Sequence, residues 1–107
     1  MINIHMDWKK MQMNIDGHAG WAQPGEDLVC CGASVLILTL VACLEEADKR
    51  GRLKAEVKAE DGMYKRIQAN PYMGMLGGTK AYFRYCMTGL KQLGRQYPKN
   101  VHVTEVV

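Results

Sequence analysis

The stretch Asp16–Ser34 reads DGHAGWAQPGEDLVCCGAS, and its parts dictate how the remainder of the chain folds. Gly17 to Gly25 holds three glycines and a proline in nine residues, which forbids a regular element and predicts a loop that begins with the turn Gly17-His18-Ala19. Gly25-Glu26-Asp27 then places acidic groups where the N-terminus of a helix favours them. Behind them, Leu28 to Leu44 is the longest apolar run in the protein. It predicts a helix that continues to Lys49 or Arg50 and stops at Gly51, a residue able to adopt the left-handed conformation of a helix end. Because it is apolar on nearly all sides, this helix is expected to be covered by a sheet on one face and by a second surface opposite, such as another copy of the chain.

Outward from this helix the pattern changes period. Met1 to Trp8 and Lys10 to Ile15 alternate weakly, with methionines at several inward positions, and read as two short strands joined by a tight turn. Leu53 to Glu60 sets Leu53, Ala55, Val57 and Ala59 against Lys54, Glu56, Lys58 and Glu60, a strand with one polar face. Asp61-Gly62 is a hairpin turn, Met63 to Ala69 the returning strand, and Asn70-Pro71 its expected break. Tyr72 to Gly78 reads as a connector. Thr79 is expected to cap a second helix that runs to about Gln96, with Tyr82, Tyr85 or Cys86, Leu90 and Leu93 at helical spacing. Pro98 ends it, and Val101 to Val107 supplies a last strand. The order β-β-α-β-β-α-β predicts an α+β two-layer sandwich: one domain over residues 1–107, a mostly antiparallel sheet, two helices on one face.

At 107 residues the chain can bury one core without staples. The four cysteines Cys30, Cys31, Cys43 and Cys86 do not form a secreted disulfide pattern, and MINIHMDWKK lacks the apolar segment of a signal peptide. The apolar run is short for a membrane span and flanked by acids, so a cytoplasmic protein with reduced thiols is expected, without a membrane partner. A formal charge of +3, with no dense run of Lys and Arg, gives no reason to expect direct nucleic-acid contact. Gly74–Gly78 lacks the Gly-Lys-Ser/Thr ending of a phosphate loop, the eight methionines read as core filler, and His5 and His102 as ordinary strand residues.

The chemistry concentrates where the opening stretch meets the first helix. At 100° per residue, Asp27, Cys30 and Ser34 share one stripe, whereas Cys31 points toward Leu28 and Val35. Cys30 lies in the first turn, where unpaired N–H groups and the positive end of the helix dipole favour an anionic sulfur and could hold a substrate oxyanion. A free cysteine in an apolar helix is ordinarily inert core. Against that inert reading stands the conjunction with His18, on a glycine turn twelve residues earlier, which would make Cys30 a nucleophile and His18 its general base or the imidazolium partner of its thiolate. Asp27 orients His18, fixes the loop or caps the helix, and Ser34 either serves the site or bonds back to the Cys30 carbonyl. A metal site from Cys30, Cys31 and His18 is not expected, since adjacent cysteines on a helix diverge, and no cofactor is called for.

These residues resemble the Prp family of ribosomal-processing cysteine proteases. Gly17-His18-Ala19, Gly25, Asp27, Leu28-Val29, Cys30 and Ser34 match the family's pattern in type and spacing. The likeness continues through Glu56-Val57-Lys58, Asp61-Gly62, Gln96-Tyr97-Pro98 and Val101. The resemblance implies a Cys30–His18 dyad supported by Asp27 and Ser34, with Gly17 and Ala19 framing the histidine, and a homodimer. The implied reaction is removal of a short N-terminal extension from a bacterial ribosomal large-subunit protein, number twenty-seven; some members act on phage capsid or scaffold proteins. Cys31 and Gly32 depart from the alanines usual there, and Gly32 is expected to loosen the helix. The competing class is a non-catalytic, ribosome- or assembly-associated binding module with the same fold.

Overall fold

The computed structural model describes residues 1–20, 22–23 and 26–107. Among them the elements are β1 (Ile2–Asp7), β2 (Gln12–Asp16), α1 (Leu28–Lys49), β3 (Leu53–Glu60), β4 (Met63–Pro71), α2 (Leu76–Gln96) and β5 (Val101–Val106). The strands form one sheet in the order β3-β4-β2-β1-β5, and both helices lie on the same face of it. The expected α+β sandwich is therefore the fold. Its one parallel pair, β1 with β5, joins the two ends of the chain with Ile2 opposite Val101.

Local chemistry accounts for the turns. The Asp7 carboxylate accepts from the N–H groups of Lys9 and Lys10 at 3.0 and 3.1 Å, an Asx turn that folds β1 back onto β2. Asp61 and Gly62, at φ +52° and +75°, make the tight β3–β4 turn. Ile4, Met6, Met13, Leu53 and Ile67 point inward from the strands, and Val29, Ala33, Leu40, Leu44 and Ala47 from α1 pack over them. α1 ends as expected, with Arg50 as its cap and Gly51 at φ +73°.

α1 is, at 22 residues, long and apolar enough to cross a bilayer, but here it is the core helix lying on β3 and against α2. Its opposite side is open: Leu28, Val35 and Leu38 are each more than half exposed. Among the described residues nothing supplies the second covering surface expected from the sequence on that side.

Four expectations are corrected or narrowed. Asn70-Pro71 does not break β4, which runs through Pro71 opposite Leu53. Tyr72 N–H donates to the Arg52 carbonyl at 3.1 Å, which makes Leu53–Pro71 a non-hydrogen-bonded pair. Pro71 therefore has no ladder bond to lose on that side, and β2 pairs with β4 only over Arg66–Gln68. Thr79 does not cap α2, which starts at Leu76 after a turn through Gly74 at φ +85°. Thr79 lies buried one turn inside, its hydroxyl bonded back to the Met75 carbonyl at 2.9 Å. The buried face of α2 is Thr79, Phe83, Cys86, Met87 and Leu90, so of the alternatives Tyr85 and Cys86 it is Cys86 that faces inward, and Tyr85 is 81% exposed. Finally, a bulge between Lys58 and Ala59 interrupts the β3 alternation and leaves Ala59 exposed.

Candidate active site

The Gly17-His18-Ala19 turn is held on both sides of the histidine. Gly17 has φ +86°, and a Cβ built there lies 2.1 Å from the Met1 carbonyl oxygen, so only glycine fits. Ala19 is buried in the core, and its carbonyl accepts from Asn100 Nδ2 at 2.9 Å. Asn100 sits on the turn between α2 and β5, and its own carbonyl receives the Ile2 N–H at 2.8 Å. One side chain thus ties the histidine turn to the edge of the sheet. His18, between the two anchors, is exposed.

The sequence reading did not single out Asn100. Its signal was faint: a turn-forming amide between Pro98 and the last strand, 81 residues from the carbonyl it holds.

Asp27 is the N-cap of α1. Its Oδ1 accepts from the Cys30 N–H at 2.9 Å and its Oδ2 from the Ala22 N–H at 3.3 Å. The carboxylate therefore both caps the helix and fixes the loop, two of the three roles open from sequence. It also takes the Cys30 N–H for itself, which leaves any oxyanion contact to other N–H groups. The expected loop residues Trp21, Pro24 and Gly25 lie outside the described residues.

Cys30, the third residue of α1, is half-buried against the core, whereas Cys31 is exposed on the open side with Leu28 and Val35. Ser34 is exposed one turn beyond Cys30. Among the described residues its hydroxyl has no hydrogen-bond partner, unlike Thr39, which bonds back to Val35 at 2.7 Å. Ser34 lines a cavity of about 160 Å³ between α1, the end of β2 and the β3–β4 turn, together with Gly17, Ile37, Met63 and Tyr64. Neither His18 nor Cys30 is among the residues that line it; Gly17 precedes His18 in the chain, and Ser34 lies one helical turn after Cys30.

The remaining thiols behave differently. Cys86 is buried, its Sγ donates to the Leu36 carbonyl at 3.6 Å, and burial pushes its pKa up to about 12. Cys43 is half-buried, and all four cysteines are free. No group of three His, Cys, Asp or Glu side chains converges among the described residues to hold a metal ion. Gly32 meets the Leu93 methyl groups at 3.6 Å from a Cβ built on it, so it leaves room that an alanine would fill.

The family model for cysteine protease Prp matches residues 1–102. Comparison with curated proteins gives no match. Among solved structures, the fold matches an essential ribosomal processing protease Prp from S. aureus in complex with a covalently linked product peptide. That match has TM-score 0.77 and 16% identity, and covers 99% of this chain and 100% of that one. A second structure of the S. aureus protease, in complex with a substrate peptide, matches at TM-score 0.71 and 14% identity over 99% and 100% of the two chains. SMU.848 from Streptococcus mutans matches at 0.65 and 19% identity over 98% and 91%. With the family pattern matched from Met1 to His102, the chain belongs to the cysteine protease Prp family and is a cysteine protease.

Proposed function

We propose that Cys30 is the nucleophile, that His18 is its general base, and that the substrate is the N-terminal extension of a ribosomal large-subunit protein, number twenty-seven. One observation supports the roles: Gly17, the residue before His18, and Ser34, one helical turn after Cys30, line the same groove. In this reading the His18 imidazole takes the Cys30 thiol proton, and the sulfur attacks the scissile carbonyl. The tetrahedral adduct collapses to a thioester as His18 returns the proton to the leaving amine. A water that His18 deprotonates then hydrolyses the thioester and frees Cys30. Asp27 keeps the first turn of α1 in place, and Ser34 meets the substrate beyond it.

The ribosomal substrate is supported by family membership and by the S. aureus protease, which is described as a ribosomal processing protease. Free thiols support action in the cytoplasm. The open apolar side of α1, Leu28, Val35 and Leu38, supports a homodimer.

The test is to incubate the protein with the extended ribosomal protein and read the N-terminus by mass spectrometry. Loss of the extension at one bond is the expected result. An untouched ribosomal protein, with a phage capsid or scaffold protein cut instead, would transfer the substrate to the phage alternative. Cleavage of neither would favour the non-catalytic binding module.

A further inference from the structure

Charge is distributed very unevenly along the chain. Residues 62–107 carry seven Lys and Arg against one acid, Glu105, a net of +6, whereas residues 1–61 carry seven against ten, a net of −3. From Gly62 to Thr104 no Asp or Glu occurs at all. The density in any short window is low, which is why the linear sequence does not read as a nucleic-acid patch.

The helix changes that. At 100° per residue, Lys80, Arg84, Lys91 and Arg95 of α2 fall within about 60° of arc, along about 22 Å of axis. This stripe lies to one side of the buried face centred on Phe83 and Leu90. Lys91 pairs with Glu105 on β5. Among the described residues Lys80, Arg84, Arg95 and Lys99 have no ion-pair partner. Alongside the stripe, between α2 and the edge strand β5, runs an open groove of about 310 Å³ lined by Lys91, Gly94, Arg95, Pro98 and His102. Tyr85, the residue after Arg84 and about 100° round the helix on the side toward α1, is 81% exposed.

We propose that the basic face of α2, with the groove along β5, binds the phosphate backbone of RNA. A polynucleotide is the ligand that presents an unbroken line of negative charge over such a length, whereas protein surfaces mix signs. An exposed tyrosine on the same helix offers a base a flat partner. The face also lies where it would serve the site: α2 leads through Tyr97 to Asn100, which holds the turn of His18. RNA bound along α2 would hold a substrate protein carried on that RNA near the groove. This consequence rests on the ribosomal reading above; the binding itself does not.

The experiment measures anisotropy of a fluorescein-labelled, mixed-sequence single-stranded RNA of about 16 nucleotides as the full chain is titrated, between about 50 and 300 mM salt. The wild type is compared with Lys80→Ser/Arg84→Ser/Arg95→Ser and with a control, Lys54→Ser/Lys58→Ser, whose lysines are exposed on β3. All substituted residues lie at least partly in solvent, and circular dichroism confirms that each variant is folded. Binding is expected to weaken with salt at a log–log slope of about −2 to −3, for three to four phosphate contacts. The triple variant should lose at least tenfold in affinity and the control less than twofold, while hydrolysis of a free peptide is unchanged in both. No binding at the lowest salt, or equal losses in the two variants, would overturn the proposal. Displacement of the RNA by poly-glutamate at equal charge concentration would overturn it too, by assigning the face to an acidic protein. Because peptide hydrolysis is read separately, failure of RNA binding and failure of the protease reading are distinguishable.

Discussion

Replacing Asn100 with alanine removes the one donor among the described residues that reaches the Ala19 carbonyl, and leaves that carbonyl at a residue only 1% exposed. The lost bond is worth about 1 kcal/mol net, and an unpaired buried acceptor costs about 1–3 kcal/mol. For a chain of this size each kcal/mol lowers the melting temperature by about 4–8 °C, so a fall on the order of 5–15 °C is expected. The backbone contacts of Asn100 to Ile2 and Tyr97 remain, and the protein should still fold. The larger effect is on His18, the next residue in the released turn. A displacement of about 1 Å at a catalytic base costs up to about 100-fold in rate, so kcat is expected to fall roughly 10–100-fold with KM little changed. Asn100→Asp keeps the shape but cannot donate when ionised, and should lose kcat as the alanine variant does. The assays are thermal unfolding by circular dichroism and hydrolysis of a fluorogenic peptide well below the melting temperature. A lowered melting temperature with unchanged kcat in both variants would refute the positioning role and leave Asn100 purely structural.

Other predictions follow from the helix ends, the helix contact and the sheet edge. Asp27→Ala removes the acceptor for Cys30 and Ala22 and should cost about 0.5–2 kcal/mol, while Asp27→Asn, which keeps one acceptor, should cost less in the same melts. Gly32→Ala should stabilise by about 0.5–1 kcal/mol, because the new methyl group meets Leu93 at ordinary contact distance. Gly89→Ala should destabilise by about 1–3 kcal/mol, since its Cβ would lie 2.7 Å from a Leu36 methyl. The Glu105 carboxyl is held below its ordinary range by hydrogen bonds from Lys91 and from Trp8. Its contribution is therefore present above about pH 4.3, the unfolded carboxylate value, and is lost as pH falls through the lower folded value. Glu105→Gln should flatten that acid-side loss, followed by thermal melts from about pH 6 to pH 3.

The parts of the fold legible in the sequence are those fixed by neighbouring residues. Asp27 and Gly51 delimit α1 because a capping carboxylate and a left-handed glycine act within one turn of the helix ends. Asp61-Gly62 places the β3–β4 hairpin for the same reason. The misreadings arose where tertiary context overrode local signals. Gly74, Gly77 and Gly78 read as a connector, yet Gly74 supplies the turn from which α2 starts and the other two are carried within the helix. Pro71 reads as a strand break, and escapes that rule because its pair with Leu53 needs no N–H. Tyr85 fits an apolar stripe by spacing as Cys86 does, but Phe83 and Met87 set the buried face. Around the proposed site, the Gly17-His18-Ala19 turn and the Asp27 cap were legible because each is set by neighbouring residues. Asn100 was not, because a hydrogen bond across 81 residues leaves no local pattern.

The most direct test of the central claim, that Cys30 and His18 form the reactive pair, compares four proteins on one peptide substrate. Wild type, Cys30→Ala, Cys31→Ala and His18→Ala are assayed for hydrolysis, with mass spectrometry after a peptidyl chloromethyl ketone to locate the adduct. Turnover should vanish in Cys30→Ala and fall at least about 100-fold in His18→Ala, as for loss of a general base. In Cys31→Ala it should stay within about twofold, with the wild-type adduct on Cys30 alone. Equal loss in Cys30→Ala and Cys31→Ala, or an adduct on the exposed Cys31 with Cys30 untouched, would contradict the account.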